Sequence, residues 1–240
     1  MANPYFVFKQ FTVFHDRCAM KVGTDGVLLG AWVNVAGVAN MLDVGTGTGL
    51  IALMMAQRSE GIIYGVELDE SAFLQAGENV KRCPWTGRIK LFHNSFQQFA
   101  RDSAGSYDLV VSNPPYFRNS LKPPAKSRSL ARHDDHLSYE SLLFYSSKVL
   151  SDRGRLAVIL PADGFSKFEL IARFHDLLPM RITHVRPQPG KDLSRCLAEF
   201  SRDNQKNCHY SEIAIRGEDH NYTKEYLDLT RDFYLDTLPE

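Results

Sequence analysis

Short apolar runs of strand length punctuate the chain at Met41–Val44, Ile62–Val66, Ile89–Phe92, Leu109–Val111 and Leu156–Leu160. Helix-like segments separate most of them. Leu50–Arg58 is apolar nearly all round and reads as a buried helix. Ser71–Arg82 follows acidic residues suited to a helix start and is ended by Pro84. Ser138–Leu150 opens on a capping serine and carries Leu142, Leu143, Tyr145 and Val149; Phe165–Leu178 is amphipathic and stops before Pro179. Strands alternating with helices predict a parallel α/β sheet with right-handed crossovers.

Beyond Pro179 the pattern changes. Arg181–Arg186, Arg195–Phe200 and Glu212–Ile215 are closely spaced strand candidates, and their short connections predict antiparallel pairing at the sheet's far edge. Three segments stand outside the alternation. Met1–Asn40 reads as an N-terminal cap, Arg118–His136 as an aperiodic loop beside the site, and Tyr222–Leu235, with its aromatic residues, as a docked tail. The whole reads as a single domain: cap 1–40, alternating core 41–178, and C-terminal strands and tail 179–240.

Composition narrows the function only by exclusion. The 240 residues, 44% of them hydrophobic, are enough to bury a core, and 28 basic residues balance 28 acidic ones. A globally basic nucleic-acid binder is not indicated, so any such surface must be local. Cys18, Cys83, Cys196 and Cys208 form no C-x-x-C pair, which fits a reducing, cytosolic setting. No run approaches the ~20 apolar residues that span a membrane, and no signal peptide is recognisable.

Candidate chemistry begins at Asp43-Val44-Gly45-Thr46-Gly47-Thr48-Gly49, at the end of the first core strand. Gly45, Gly47 and Gly49 let the chain turn sharply and approach a ligand, with helix N-terminal amides beyond. Leu50 stands where a dinucleotide fingerprint wants its third glycine. The loop therefore suits S-adenosylmethionine, which has no phosphates, better than a pyrophosphate. Asp43 is placed to hold the donor's ammonium, directly or through water. Thr46 belongs to the same loop. Glu67, about 20 residues on, ends the second strand where an acid binds ribose hydroxyls, with Leu68 beside it. Asn94, Ser95 and Phe96 follow the third strand, where adenine would lie. An NAD site stays open as an alternative.

The second constellation is Asn113-Pro114-Pro115-Tyr116, after Tyr107–Ser112, which reads as a strand at an edge of the parallel pattern. Two prolines stiffen the turn and remove two donors, leaving acceptors exposed. The Asn113 side-chain oxygen and the Pro114 carbonyl can both accept from one planar NH2 group. Holding it so favours a pyramidal nitrogen and aligns it with a methyl sulfonium. Tyr116 offers an aromatic face, and Phe117 extends it.

Asp43–Gly49, Glu67 and Asn113–Tyr116 resemble the motifs of class I methyltransferases acting on planar amino groups. Adding Phe8-Lys9-Gln10-Phe11, Lys21–Trp32 and the tail Tyr222–Leu235, the chain resembles the bacterial tRNA1(Val) adenine-37 N6-methyltransferase family over nearly its full length. The resemblance implies a Rossmann-like, seven-stranded, mostly parallel sheet with helices on both faces and a reversed last strand. It also implies S-adenosylmethionine as donor and an adenine of the tRNA anticodon loop as acceptor. Where such enzymes often carry Asp, this chain has Ser95.

Other residues carry competing readings. Pro115, Tyr116, Phe117, Arg118, Lys122, Lys126, Arg128 and Arg132 are candidate substrate contacts, the basic ones either to the phosphates of an anticodon arm or simply to solvent. Arg181, Arg186, Lys191 and Arg195 form a second basic cluster, read as a solvated face. Lys21 and Asp25 read either as a packed ion pair or as groups near donor or substrate. His133-Asp134-Asp135-His136 has metal-like spacing, but methyl transfer needs no metal and none is assigned. The turn at Asn113 also suits a guanine amino group or a glutamine amide, as in enzymes of ribosomal RNA and release factors. A binding module without catalysis and a nicotinamide dehydrogenase are the readings outside this class.

Overall fold

The computed structural model describes residues 3–103, 106–115, 137–203 and 207–235. An antiparallel hairpin, β1 (Tyr5–Val7) and β2 (Thr12–Phe14), is followed by α1 (Thr24–Trp32). The core then alternates: β3 (Asn40–Val44), α2 (Leu50–Arg58), β4 (Ile62–Glu67), α3 (Glu70–Lys81), β5 (Ile89–His93), α4 (Phe96–Asp102), β6 (Tyr107–Ser112), α5 (Tyr139–Val149), β7 (Leu150–Pro161) and α6 (Ala162–Phe174). The chain closes with β8 (Leu178–Arg186), β9 (Arg195–Ser201), β10 (His209–Ala214) and α7 (Lys224–Thr230).

The main sheet has the order β10-β8-β9-β7-β6-β3-β4-β5. β9 runs antiparallel to both β7 and β8, and every other pair in the sheet is parallel. β3 to β9 therefore make the seven strands with a reversed last member. β10 adds an eighth, and two expectations are corrected here. The Glu212–Ile215 segment pairs parallel to β8, because the chain crosses to the outer side of β8 and resumes its direction. Tyr107–Ser112 is central, flanked by β3 and β7.

The strands read as apolar runs because the sheet is covered on both faces. Along β3, Met41 enters one core while Leu42 enters the other; Leu109 and Val110 on β6, and Ala157 and Val158 on β7, divide in the same way. The first core gathers α1, α2, α7 and the N-terminal hairpin, and the second α4, α5 and α6. Helix starts are fixed by side-chain caps: Asp69, Ser95, Ser138 and Thr223 each accept an amide of the following first turn. The N-terminal segment forms a hairpin and a helix against α2 and α3. The tail docks on it, with Tyr226 and Phe233 buried and the Lys9 amide donating to the Phe233 carbonyl at 2.8 Å.

The chain runs outward from β3 to β4 and β5, then returns to place β6 on the other side of β3. That reversal opens a crevice at the carboxyl ends of β3 and β6, where open α/β sheets bind ligands.

Candidate active site

The glycine loop and the Asn113 turn leave neighbouring strands, since Val44 and Ser112 are paired in register. The Ser112 hydroxyl donates to the Val44 carbonyl at 2.9 Å, tying the two strand ends together. Gly45, Gly47 and Gly49 all take positive φ, 71°, 56° and 83°, which a side chain would strain. The amides of Gly45 and Thr46 donate to the Val66 carbonyl, while the Gly47 amide donates to Glu67 Oε2 at 2.8 Å. Glu67 Oε1 accepts from the Asp69 amide at 2.9 Å. One carboxylate thus holds the loop after β3 and the start of α3 together.

A cavity of ≈ 310 Å³ lies over these groups, within the size range of small-molecule sites. Gly45, Gly47, Glu67 and Leu68 line its floor, Asn94, Ser95 and Phe96 one side, and Asn113, Pro114 and Pro115 the other. Ser95 is the cap of α4, accepting from the Gln98 amide at 3.1 Å. Serine serves in that capping position as well as aspartate would.

Asp43, Thr46 and Gly49 do not line the cavity. Asp43 is wholly buried, so direct contact with a ligand's ammonium is not what the geometry supports. Burial pushes its pKa up to about 7, offset in part by the Thr46 hydroxyl at 2.5 Å and the Ala52 amide in the first turn of α2. Its Oδ1 has no hydrogen-bond partner among the described residues. Asp43 shapes the loop and the start of α2 from beneath.

Tyr116, Phe117, Arg118, Lys122, Lys126, Arg128, Arg132 and the His133–His136 run lie outside the described residues. Among those described, no group of three or more His, Cys, Asp or Glu side chains could hold a metal. Three of the four residues of the second basic cluster are paired, while Lys191 is exposed. Arg181 donates to Glu199 and stacks 3.6 Å over Trp32, Arg186 donates to Glu212, and Arg195 donates to Asp25 at 2.9 Å. Asp25 therefore ties α1 to β9, while Lys21 is exposed.

Sequence reasoning set Met1–Asn40 apart as a cap but missed which of its residues line the site. Cys18, Ala19 and Met20 form a wall of the cavity, joined by Asp69, Ala72, Gln97 and Leu137. The signal for Asp69 and Ala72 was present, because a helix starting directly after Glu67 must turn its first residues toward the same crevice.

Residues 19–161 match the model of the methyltransferase small domain family. The chain is 48% identical to a tRNA1(Val) (adenine(37)-N6)-methyltransferase of Parabacteroides distasonis, covering 98% of this chain and 99% of that one. It is 46% identical to an enzyme of the same name from Trichodesmium erythraeum, with the same coverage of both chains. Among solved structures, a predicted O-methyltransferase from Agrobacterium tumefaciens superposes with a TM-score of 0.68 at 17% identity, covering 87% of this chain and 96% of that one. A ribosomal protein L11 methylase from Lactobacillus delbrueckii gives 0.50 at 18%, covering 76% and 77%. At such identities the structures speak for the fold alone. With its Rossmann-like sheet, glycine loop and full-length kinship, this chain belongs to the methyltransferase small domain family and, within it, to the tRNA1(Val) (adenine-37-N6)-methyltransferases.

Proposed function

We propose that this protein transfers a methyl group from S-adenosylmethionine to N6 of adenine 37 in the anticodon loop of a tRNA1(Val)-type substrate. The observation that carries the reading is the juxtaposition, on the paired strands β3 and β6, of the glycine-loop cavity and the Asn113-Pro114-Pro115 turn. The names of the full-length relatives supply the acceptor.

The residues present fit the donor. A cavity with an acidic residue on its floor and an apolar side at Leu68, Phe96 and Ala72 suits a nucleoside joined to an amino acid without phosphates. Gly45 and Gly47 would meet the amino-acid portion, Glu67 the ribose, and the Asn94–Phe96 corner the adenine. When bound, the donor supplies an electrophilic methyl group on a sulfonium. Everything else falls to the protein. The Asn113 carboxamide oxygen and the Pro114 carbonyl accept the two hydrogens of the adenine amine, withdraw its lone pair from the ring and aim it at the cavity. The acceptor base leaves its stack to reach this turn. No strong base is needed, since the proton leaves after the new bond has formed.

No helix among the described residues is long and apolar enough to cross a membrane. The four cysteines are unpaired, which supports a reducing cytosol as the place of work. Mass spectrometry of nucleosides from unmodified tRNA treated with the protein and donor tests the proposal. N6-methyladenosine at position 37 is the expected product. Methylation confined to guanine, to ribosomal RNA or to protein would reject it.

A further inference from the structure

Two buried carboxamides on α3 hydrogen-bond the N-terminal cap. Gln75 and Asn79 stand one helical turn apart, are 0% and 1% exposed, and do not themselves line the cavity. Gln75 Oε1 accepts from the Arg17 amide and its Nε2 donates to Asp16 Oδ1, both at 2.8 Å. Asn79 pairs with Phe14 as a neighbouring strand would, accepting from its amide and donating to its carbonyl, each at 2.9 Å. Asn79 Nδ2 also donates to the Thr48 carbonyl at 2.9 Å, in the glycine loop.

Simple packing asks for apolar side chains on a buried helix face, and burying carboxamides costs free energy unless every group is bonded. Here they are bonded, and the bonds specify one register between the cap, α3 and the glycine loop. The chain leaving this clamp at Arg17 runs directly into Cys18, Ala19 and Met20, the cap's contribution to the cavity wall. Met20 Sδ lies 4.0 Å from the Asn113 carboxamide nitrogen.

We propose that Gln75 and Asn79 are positioning residues for the methyl donor: they hold Cys18–Met20 as a wall of its cavity, with Met20 beside Asn113. The inference rests on the donor and acceptor reading above. One further property agrees with a wall facing a reactive methyl group. Burial, aided by Glu67 and Asp69, pushes the Cys18 thiol up to about 11, so it stays protonated and weakly nucleophilic.

The test is calorimetric titration of S-adenosylhomocysteine into the full chain, with steady-state kinetics on tRNA. Gln75→Leu is expected to raise both Kd and the donor KM at least about ten-fold, while kcat at saturating donor stays within about two-fold. Met20→Ala removes a side chain from a residue that is 53% exposed, so the fold does not depend on it. It is expected to raise Kd about five-fold. Pairing Gln75→Glu with Asp16→Asn reverses the side-chain hydrogen bond and is expected to restore Kd to within about three-fold of wild type. A lower melting midpoint and less active enzyme in Gln75→Leu with an unchanged donor KM is the signature of a purely structural role and overturns the inference. So does Met20→Ala binding as wild type does, which decides the matter alone should Gln75→Leu not fold. If wild type itself binds no S-adenosylhomocysteine, the donor reading falls and takes this inference with it. Wild-type binding with unaffected variants sinks the inference only.

Discussion

Gly47 donates its backbone amide to Glu67 Oε2 at 2.8 Å, so the acid ending β4 holds the turn that follows β3. The carboxylate is then both a candidate ribose ligand and a clasp for the floor it would share with the ribose. Glu67→Ala removes both functions and leaves the amides of Gly47 and Asp69 without their acceptor. S-adenosylhomocysteine binding should weaken at least about thirty-fold by calorimetry. Affinity within three-fold of wild type would remove Glu67 from the donor site.

Asn113→Ala separates binding from chemistry. The side chain is half-buried at the end of β6, on the wall opposite Asn94 and Phe96. Its loss removes one of two acceptors from the proposed amine clamp but spares the glycine loop. The expected outcome is a kcat lowered at least about 10³-fold, with the Kd for S-adenosylhomocysteine within about three-fold of wild type. Full activity in this variant refutes the clamp.

Asp43 gives a pH dependence whose sign is set by burial. Its carboxyl is raised from 3.8 to about 7 in the folded protein, so between these values the native state holds a proton that the unfolded chain has lost. The group's contribution to stability is complete below the lower value, falls as pH rises through the window, and levels off above the upper one. Melting midpoints of wild type and Asp43→Asn should therefore diverge between pH 4 and pH 7, the variant gaining relative to wild type as pH rises. Parallel curves would show that Asp43 stays ionised throughout.

Gly30 lies where α1 crosses α2. A Cβ there would come within 2.6 Å of Met54 Sδ, and one at Gly26 within 2.9 Å of Leu50 Cδ2. Gly30→Ala should cost about 1–3 kcal/mol in denaturant unfolding despite alanine's better helix propensity. A more stable variant would mean that Met54 swings aside at no cost.

Those two glycines also explain what the sequence hid. By propensity Gly26 and Gly30 argue against a helix, so α1 merged into an undivided cap; the close crossing they permit is visible only in three dimensions. The core strands were legible for the opposite reason. With Met41 in one core and Leu42 in the other, apolar residues fall on both faces of the strand, and the run shows even with Asp43 inside it. α4 is too short to show a helical period, and its start is fixed by a single capping serine, Ser95. The expected helix Phe165–Leu178 ran too far because Pro179 looked like its stop. The proline instead lies within β8, at a register shift and ahead of the first β10 pair, so its missing amide leaves no partner unmet on that side. In the site, the glycine loop, Glu67 and Asn113 announced themselves by residue type and by position at strand ends. Cys18–Met20 could not, since their place depends on buried bonds to Gln75 and Asn79, far off in sequence.

The bond from the Lys9 amide to the Phe233 carbonyl joins opposite ends of the described chain. During synthesis the hairpin emerges well before the aromatic tail against which Phe6 and Phe8 pack. Every strand of the sheet precedes that tail in the chain, so the hairpin meets its docking partner only after the sheet strands have been made. The packing around the hairpin is thereby completed later than the synthesis of the sheet.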